Sequence, residues 1–173
     1  MNSKLDELLE KIFSNVNSWL NFAEAKNAAN VAFVVACIAA IFSFGDMNYL
    51  MYAICIFLIV SGICSLLSFI PYLGDKTMRK TCLFFKKRNK RVNGDNLMFF
   101  EDIKSYFGKT YIEQVCKVYL GEEKYNPTKY QRDLSNEIVY NSHIASRKYK
   151  LFKVAVYIDI AAFLMFAICI VLA

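Results

Sequence analysis

Two short polar clusters and one isolated acid are where this chain has chemistry to offer. Glu24, Lys26 and Asn27 stand in the stretch NFAEAKNAA at 21–29, and Asn141, Ser142, His143, Arg147, Lys148 and Lys150 stand in NSHIASRKYK at 141–150. Each cluster directly precedes a long apolar run. Glu24, Asn27 and Ala28 share one helix face by i, i+3, i+4 spacing, and Lys26 points elsewhere. Two uses fit these residue types. They can lock helices together, with Glu24 pairing with Arg147 or Lys148, which is how interhelical polar groups are most often used. Alternatively, Lys26, Arg147 and His143 can hold a small anion while Glu24 or Asn141 reads a base or ribose. The isolated acid, Asp159, lies roughly two turns inside the last apolar run. An unpaired carboxylate in mid-bilayer costs about 2.5–3.5 kcal/mol, so Asp159 has to face protein or water. It is either paired, with Lys153 or an amide such as Asn30, or it is a pore or gating residue.

No other chemistry is visible. His143 is the single histidine, and it has no recognisable nucleophile partner. The glycines are scattered and form no phosphate loop. The acidic pairs Glu101-Asp102 and Glu122-Glu123 read as solvated faces. The chain is therefore expected not to be an enzyme and to need no cofactor. Cys37, Cys55, Cys64, Cys82, Cys116 and Cys169 include no C-x-x-C pair, so they read as reduced structural thiols, and no metal site is expected. The run at 76–91 carries Lys76, Arg79, Lys80, Lys86, Lys87, Arg88, Lys90 and Arg91 with no acid. It reads first as a topology signal attracted to anionic lipids, with help in binding a phosphate ligand as an alternative; nucleic acid is not an expected partner, because no recognisable module accompanies the charge.

The elements that must position the polar clusters follow from the apolar pattern. A hydrophobic content of 57% in 173 residues fits one membrane domain. Residues 1–20 read as an amphipathic helix through Leu5, Leu8, Leu9, Ile12, Phe13, Val16, Trp19 and Leu20. Its acidic charges favour packing on the protein's own cytoplasmic region over lying in the bilayer interface. Residues 21–73 read as a transmembrane hairpin, with crossings at about 27–44 and 49–73 joined by a turn at 45–48. Residues 74–150 read as a basic, helical cytoplasmic segment, with a helix expected over 110–120. A last helix, capped by Thr128, runs into a third crossing at 151–173. The expected fold is thus an all-α membrane protein with three transmembrane helices and a helical cytoplasmic segment between the second and third. No cleavable signal peptide is expected. Lys and Arg placement puts the N-terminus and central segment in the cytoplasm.

Three motifs in order, NFAEAKNAA, NLMFFEDI and DLSNEIVYNSHIASRKYKLFKVA, resemble those of the Pycsar transmembrane effector family over nearly the whole chain. The matching positions are Glu24, Lys26, Asn27, Phe99, Phe100, Asp102, Asn141, Ser142, Ile144, Ala145, Lys148 and Tyr149. The resemblance implies a bacterial antiphage-defence effector in the inner membrane. It implies a partner pyrimidine cyclase that makes cyclic CMP or cyclic UMP on infection, with no direct contact between the two proteins implied. The effector would respond to that messenger by impairing the membrane, giving abortive infection. On this reading Glu24, Lys26, Asn27, Asn141, His143, Arg147 and Lys148 are the candidate messenger-binding residues. Asp159 is the candidate pore or gating residue, with Ser61, Ser65 and Ser68 bordering a leak, in a homo-oligomer within the lipid bilayer. Two alternatives stand beside it: an effector answering to a cyclic oligonucleotide, and a membrane scaffold or transport subunit with no nucleotide ligand.

Overall fold

The computed structural model describes residues 2–43, 48–70, 94–122 and 125–172. The basic run at 76–91, Cys82, the residues at 44–47 and the expected end of the second crossing at 71–73 lie outside the described residues. The helices are α1 (Asn2–Phe42), α2 (Tyr49–Leu66), α3 (Phe100–Ile103), α4 (Gly108–Val115) and α5 (Lys129–Leu172). A 3₁₀ turn at Leu67–Phe69 continues α2, and a π-helical turn at Cys116–Leu120 continues α4. There is no strand among the described residues.

The two long helices form because nothing in them breaks a helix: neither contains glycine or proline. α5 starts at a capping box. The Gln131 backbone N–H donates to Thr128 Oγ1 at 3.3 Å, and the Thr128 N–H donates to Gln131 Oε1 at 2.9 Å. Asn48 caps α2, its Oδ1 accepting from the Met51 N–H at 2.9 Å. The three helices are long and apolar enough to cross a membrane. With 41 residues, α1 is about 60 Å long, twice a bilayer's hydrocarbon core, so only part of it can lie in lipid.

The chain divides into two compact units, Met1–Asn21 with Tyr72–Ser146, and Phe22–Pro71 with Arg147–Ala173. In the first, Leu5, Leu9, Ile12 and Val16 recur at 4-3-4 spacing and are fully buried, as are Ile103, Tyr111, Val115 and Ile138. The N-terminal segment thus packs in the protein's own core. Polar ties accompany the packing: Gln131 Nε2 donates to Asp6 Oδ1 at 2.8 Å, and Asn15 Nδ2 donates to the Met98 carbonyl at 2.9 Å. The Tyr111 hydroxyl donates to the Leu97 carbonyl at 2.8 Å, and burial pushes its phenol well above the usual tyrosine range.

The NLMFFEDI motif has a structural task in this unit. Asp102 Oδ2 accepts from the Asn96 N–H at 3.0 Å, and Asn96 Oδ1 accepts from the Met98 N–H at 3.0 Å, which closes the turn before α3. Phe99, Phe100 and Trp19 form an aromatic cluster with ring centroids 4.8–6.2 Å apart. α4 starts at Gly108, two residues before the expected 110, where the Phe107 N–H donates to Thr110 Oγ1 at 3.1 Å, and an added Cβ at Gly108 would stand 3.1 Å from the Asn136 Cα. The π-helical turn ends at Gly121, whose φ of 72° is left-handed.

The second unit is built inside out. Its core of Val34, Ile41, Ile54, Cys55, Leu58, Ala162 and Cys169 is small. Its outer surface is apolar: Phe42, Ile56, Ile63, Leu164, Ile168 and Ile170 are more than half exposed or close to it. Such a surface is stable in hydrocarbon and not in water. Between the helices lie small and polar groups. Gly62 lets α2 approach Val34, where an added Cβ would stand 3.4 Å from Cγ1. Asn30 Nδ2 donates to Ser61 Oγ at 3.1 Å and Ser65 Oγ at 3.0 Å, and Ser61 Oγ donates to the Ala155 carbonyl at 3.1 Å. Cys37, Cys55, Cys64 and Cys169 in this unit are free thiols.

Candidate functional site

At one end of the second unit the α1 stripe changes from apolar to polar. Ala23, Asn27, Asn30 and Val34 are buried in register, which places Asn27 inward and Glu24 at the flank. From α5, Lys148 enters the same region and is 8% exposed. Its ammonium donates to the Ser68 carbonyl at 2.9 Å and lies 3.0 Å from Glu24 Oε1. The Phe69 ring centroid is 5.6 Å away. Arg147 Nη2 donates to the Leu67 carbonyl at 3.5 Å. Two neighbouring cations from α5 therefore meet the last carbonyls of the 3₁₀ turn that ends α2. Unpaired helix-end carbonyls carry partial negative charge, and cations are favoured there. One ammonium ties α1, the end of α2 and α5.

Asn27 extends the tie. Its Nδ2 donates to the Ala23 carbonyl at 2.8 Å and to the Lys148 carbonyl at 3.3 Å. Its Oδ1 and the Ser68 Oγ are buried without a hydrogen-bond partner among the described residues. The collar thus holds a buried cation, a half-exposed carboxylate and two unspent polar atoms. Such a set can accept a small polar or anionic molecule by exchanging one carboxylate contact.

Of the residues that the sequence singles out, the structure brings Glu24, Asn27 and Lys148 together, with Arg147 on the adjacent carbonyl. Lys26 stands apart, its ammonium 4.5 Å from the Phe22 ring centroid, 5.4 Å from Tyr149 and 5.5 Å from Phe152. Asn141 and His143 belong to the first unit, where Asn141 Nδ2 donates to Asn17 Oδ1 at 2.8 Å and Ser142 Oγ donates to the Ile138 carbonyl at 2.7 Å.

Asp159 is 6% exposed, and its Oδ1 has no hydrogen-bond partner among the described residues. Of the two readings open for it, pairing with Asn30 or Lys153 is not seen among the described residues. Asn30 gives its amide to the two α2 serines, and the Lys153 ammonium lies 5.8 Å from the Tyr157 ring centroid. The Asn30 amide is taken by hydroxyls on α2, and Lys153, about two turns from Asp159 along α5, lies over an exposed ring. Sequence reasoning also missed Ser68 as a collar partner. It contributes a backbone carbonyl, which any residue could supply, so only the end of the apolar run near Pro71 marks the place.

A family model described as the Pycsar effector protein domain, PycTM, matches residues 8–173. No curated protein and no solved structure matches the chain. The match takes in α1 from residue 8, the other four helices and both polar clusters, and the three long apolar helices agree with it: the chain is a membrane protein of the Pycsar effector family, an effector of antiphage defence.

Proposed function

We propose that the protein is the membrane-impairing arm of its defence system, without catalysis of its own. It lies in the bacterial inner membrane with the N-terminus and the segment between the second and third crossings in the cytoplasm. A cyclic pyrimidine mononucleotide, cyclic CMP or cyclic UMP, made by a partner pyrimidine cyclase, is the signal. Several copies of the chain act together, and the outcome is loss of membrane integrity and abortive infection.

The observation that supports this reading is the tie at Lys148. A single ammonium holds α1, the end of α2 and α5 together, and its carboxylate partner, Glu24, is half exposed. The phosphate of a cyclic mononucleotide competes with that carboxylate for the same ammonium. Arg147 adds a second cation, and Asn27 Oδ1 and Ser68 Oγ offer polar atoms to the rest of the ligand. Exchange of Glu24 for phosphate loosens α1 from α5. The ligand shifts the arrangement by its difference in affinity between the two states and by nothing else. Deeper in the unit, Asp159 and the serines Ser61 and Ser65 are the polar groups that a loosened bundle would present to water or ions.

The test is direct. The full chain is reconstituted in vesicles carrying a potential-sensitive dye, and cyclic CMP, cyclic UMP, cyclic AMP or a cyclic dinucleotide is added. Depolarisation by a pyrimidine mononucleotide alone is the expected result. No response to cyclic CMP or cyclic UMP at any concentration overturns the proposal, and a response to a cyclic oligonucleotide replaces the messenger.

A further inference from the structure

Lys26 and Lys153 stand on the second unit outside the Lys148 tie. Among the described residues no carboxylate is paired with either. What surrounds them is aromatic. Phe22, Tyr149 and Phe152 ring the Lys26 ammonium, and Tyr157 lies under that of Lys153. At about 100° per residue, positions 149, 152 and 153 share one arc of roughly 100° on α5, and Phe22 and Lys26 are one turn apart on α1. Phe22 and Tyr157 are on the surface, 52% and 62% exposed, and Tyr149 and Phe152 are partly exposed beside them. These lysines sit where both helices pass from polar to apolar sequence. Beyond them the only charge on either helix is Asp159, which is buried.

Lysines and aromatic rings together at the edge of an apolar surface fit the headgroup level of a bilayer. The ammonium groups reach outward while the stems and rings stay in apolar surroundings. A cation over a ring, with no carboxylate ion-paired to it among the described residues, can take an anion on its outer side. We infer that this face is a binding site for an anionic phospholipid headgroup, whose phosphate is held by Lys26 and Lys153 while Phe22, Tyr149, Phe152 and Tyr157 pack on its glycerol and upper acyl chains. The site rests on the chain's being a membrane protein and not on the proposed messenger. It would make anionic lipid a fixed part of the surface at the collar.

The experiment uses the full chain in phosphatidylcholine vesicles with trace spin-labelled phosphatidylglycerol or spin-labelled phosphatidylcholine. Electron paramagnetic resonance gives the motionally restricted fraction of each. The expected result is a preference for phosphatidylglycerol that falls about fivefold for each lysine lost in K26Q/K153Q. The preference should survive in K26R/K153R, which keeps the charge, and in K109Q/K129Q, which makes the same change in net charge in the first unit. An unchanged preference in K26Q/K153Q overturns the site. So does an equal loss in K109Q/K129Q, because net charge alone would then explain the effect. Inorganic phosphate or cyclic CMP is added in a further arm. Displacement of the labelled lipid by either would make this a soluble-phosphate site and overturn the lipid assignment; no displacement supports it.

Discussion

Glu24 and Lys148 meet in one ion pair, yet their removal should move the messenger response in opposite directions. In the proposed mechanism the messenger phosphate replaces Glu24 on Lys148, so Glu24 is a competitor and Lys148 a ligand contact. The size of each effect follows from exposure. The Glu24 side chain is 46% exposed and that of Lys148 10%. Solvent reaches the carboxylate, so the pair contributes about 0.2–1 kcal/mol, the range of exposed pairs. Glu24→Gln should therefore lower the messenger concentration for half-maximal depolarisation by about 1.4- to 5-fold. Lys148→Met removes a charge-assisted hydrogen bond to the phosphate, about 1.5–3 kcal/mol, and should raise that concentration by about 10- to 150-fold.

Both substitutions also weaken the resting bundle, and that separates a site from a lock. Lys148→Met leaves the buried Ser68 carbonyl without its donor, costing about 1–3 kcal/mol of stability. Glu24→Gln costs less than about 1 kcal/mol. If the tie does nothing except hold helices in register, both variants sensitise the protein, and Lys148→Met does so more strongly. The assay is dye-reported depolarisation of vesicles against messenger concentration, alongside thermal unfolding of the same preparations. A leftward shift for both variants, in the order of their loss of stability, refutes the reasoning.

Other outcomes follow from single contacts. Asn30→Ala removes two hydrogen bonds from α1 to α2, and at about 0.6 kcal/mol for each interhelical bond in a membrane it should cost about 1 kcal/mol in reversible unfolding in mixed micelles. Tyr111→Phe should cost about 1–2 kcal/mol at pH 7 by thermal melting, because the buried Leu97 carbonyl loses its donor. Desolvation raises the Tyr111 phenol above its unfolded value, so its stabilising effect is full below about pH 10 and lost as pH rises beyond that; the gap between wild type and variant should narrow there. Asp159→Asn should raise the unfolding midpoint, since it removes a buried carboxylate with an unpaired oxygen, while lowering depolarisation at saturating messenger. An unchanged midpoint together with unchanged depolarisation would leave Asp159 with neither role.

The parts of this molecule legible in its sequence are those fixed by period and by absence. Leu5, Leu9, Ile12 and Val16 repeat at helical spacing, and their burial in the first unit follows from it. The length of α5 follows from its lack of glycine and proline. α1 reads from the sequence as an amphipathic segment at 1–20 and a crossing at 27–44, and it is one helix, Asn2–Phe42. Thr128 after Asn126-Pro127 reads as a cap, and the structure adds Gln131 as its reciprocal partner. In the collar, charge type at helix spacing pointed to Glu24 with Arg147 or Lys148, and Lys148 is the partner. What could not be read depends on backbone atoms or on competition between partners. The Ser68 carbonyl has no side-chain signature, and Asn30 had several acceptors within its reach. The π-helical turn at Cys116–Leu120 leaves one mark, Gly121, which equally fits the end of an ordinary helix. Lys26 looked like part of an anion site with Arg147, but the rings around it depend on the pairing of α1 with α5, which spacing within one helix does not reveal.

The polar groups within the second unit bear on how small a signal the proposed switch needs. Asn30 donates to Ser61 and Ser65, and Ser61 donates in turn to the Ala155 carbonyl, so these groups hold the bundle together. Asp159 differs, being buried with an oxygen that has no partner among the described residues. A carboxylate at such a depth costs about 2.5–3.5 kcal/mol, and any arrangement that admits water to it recovers part of that cost. The collar opposes such an arrangement through Lys148, whose contacts with the Ser68 carbonyl and Glu24 together contribute an amount of the same order. When two opposing terms of similar size act in one small bundle, the balance is set by the weaker, more exposed contact, here the Glu24 carboxylate. A messenger that binds the loosened form about 100-fold more tightly, a difference of about 2.7 kcal/mol, is then enough to shift the population. A single phosphate on two adjacent cations falls within that range.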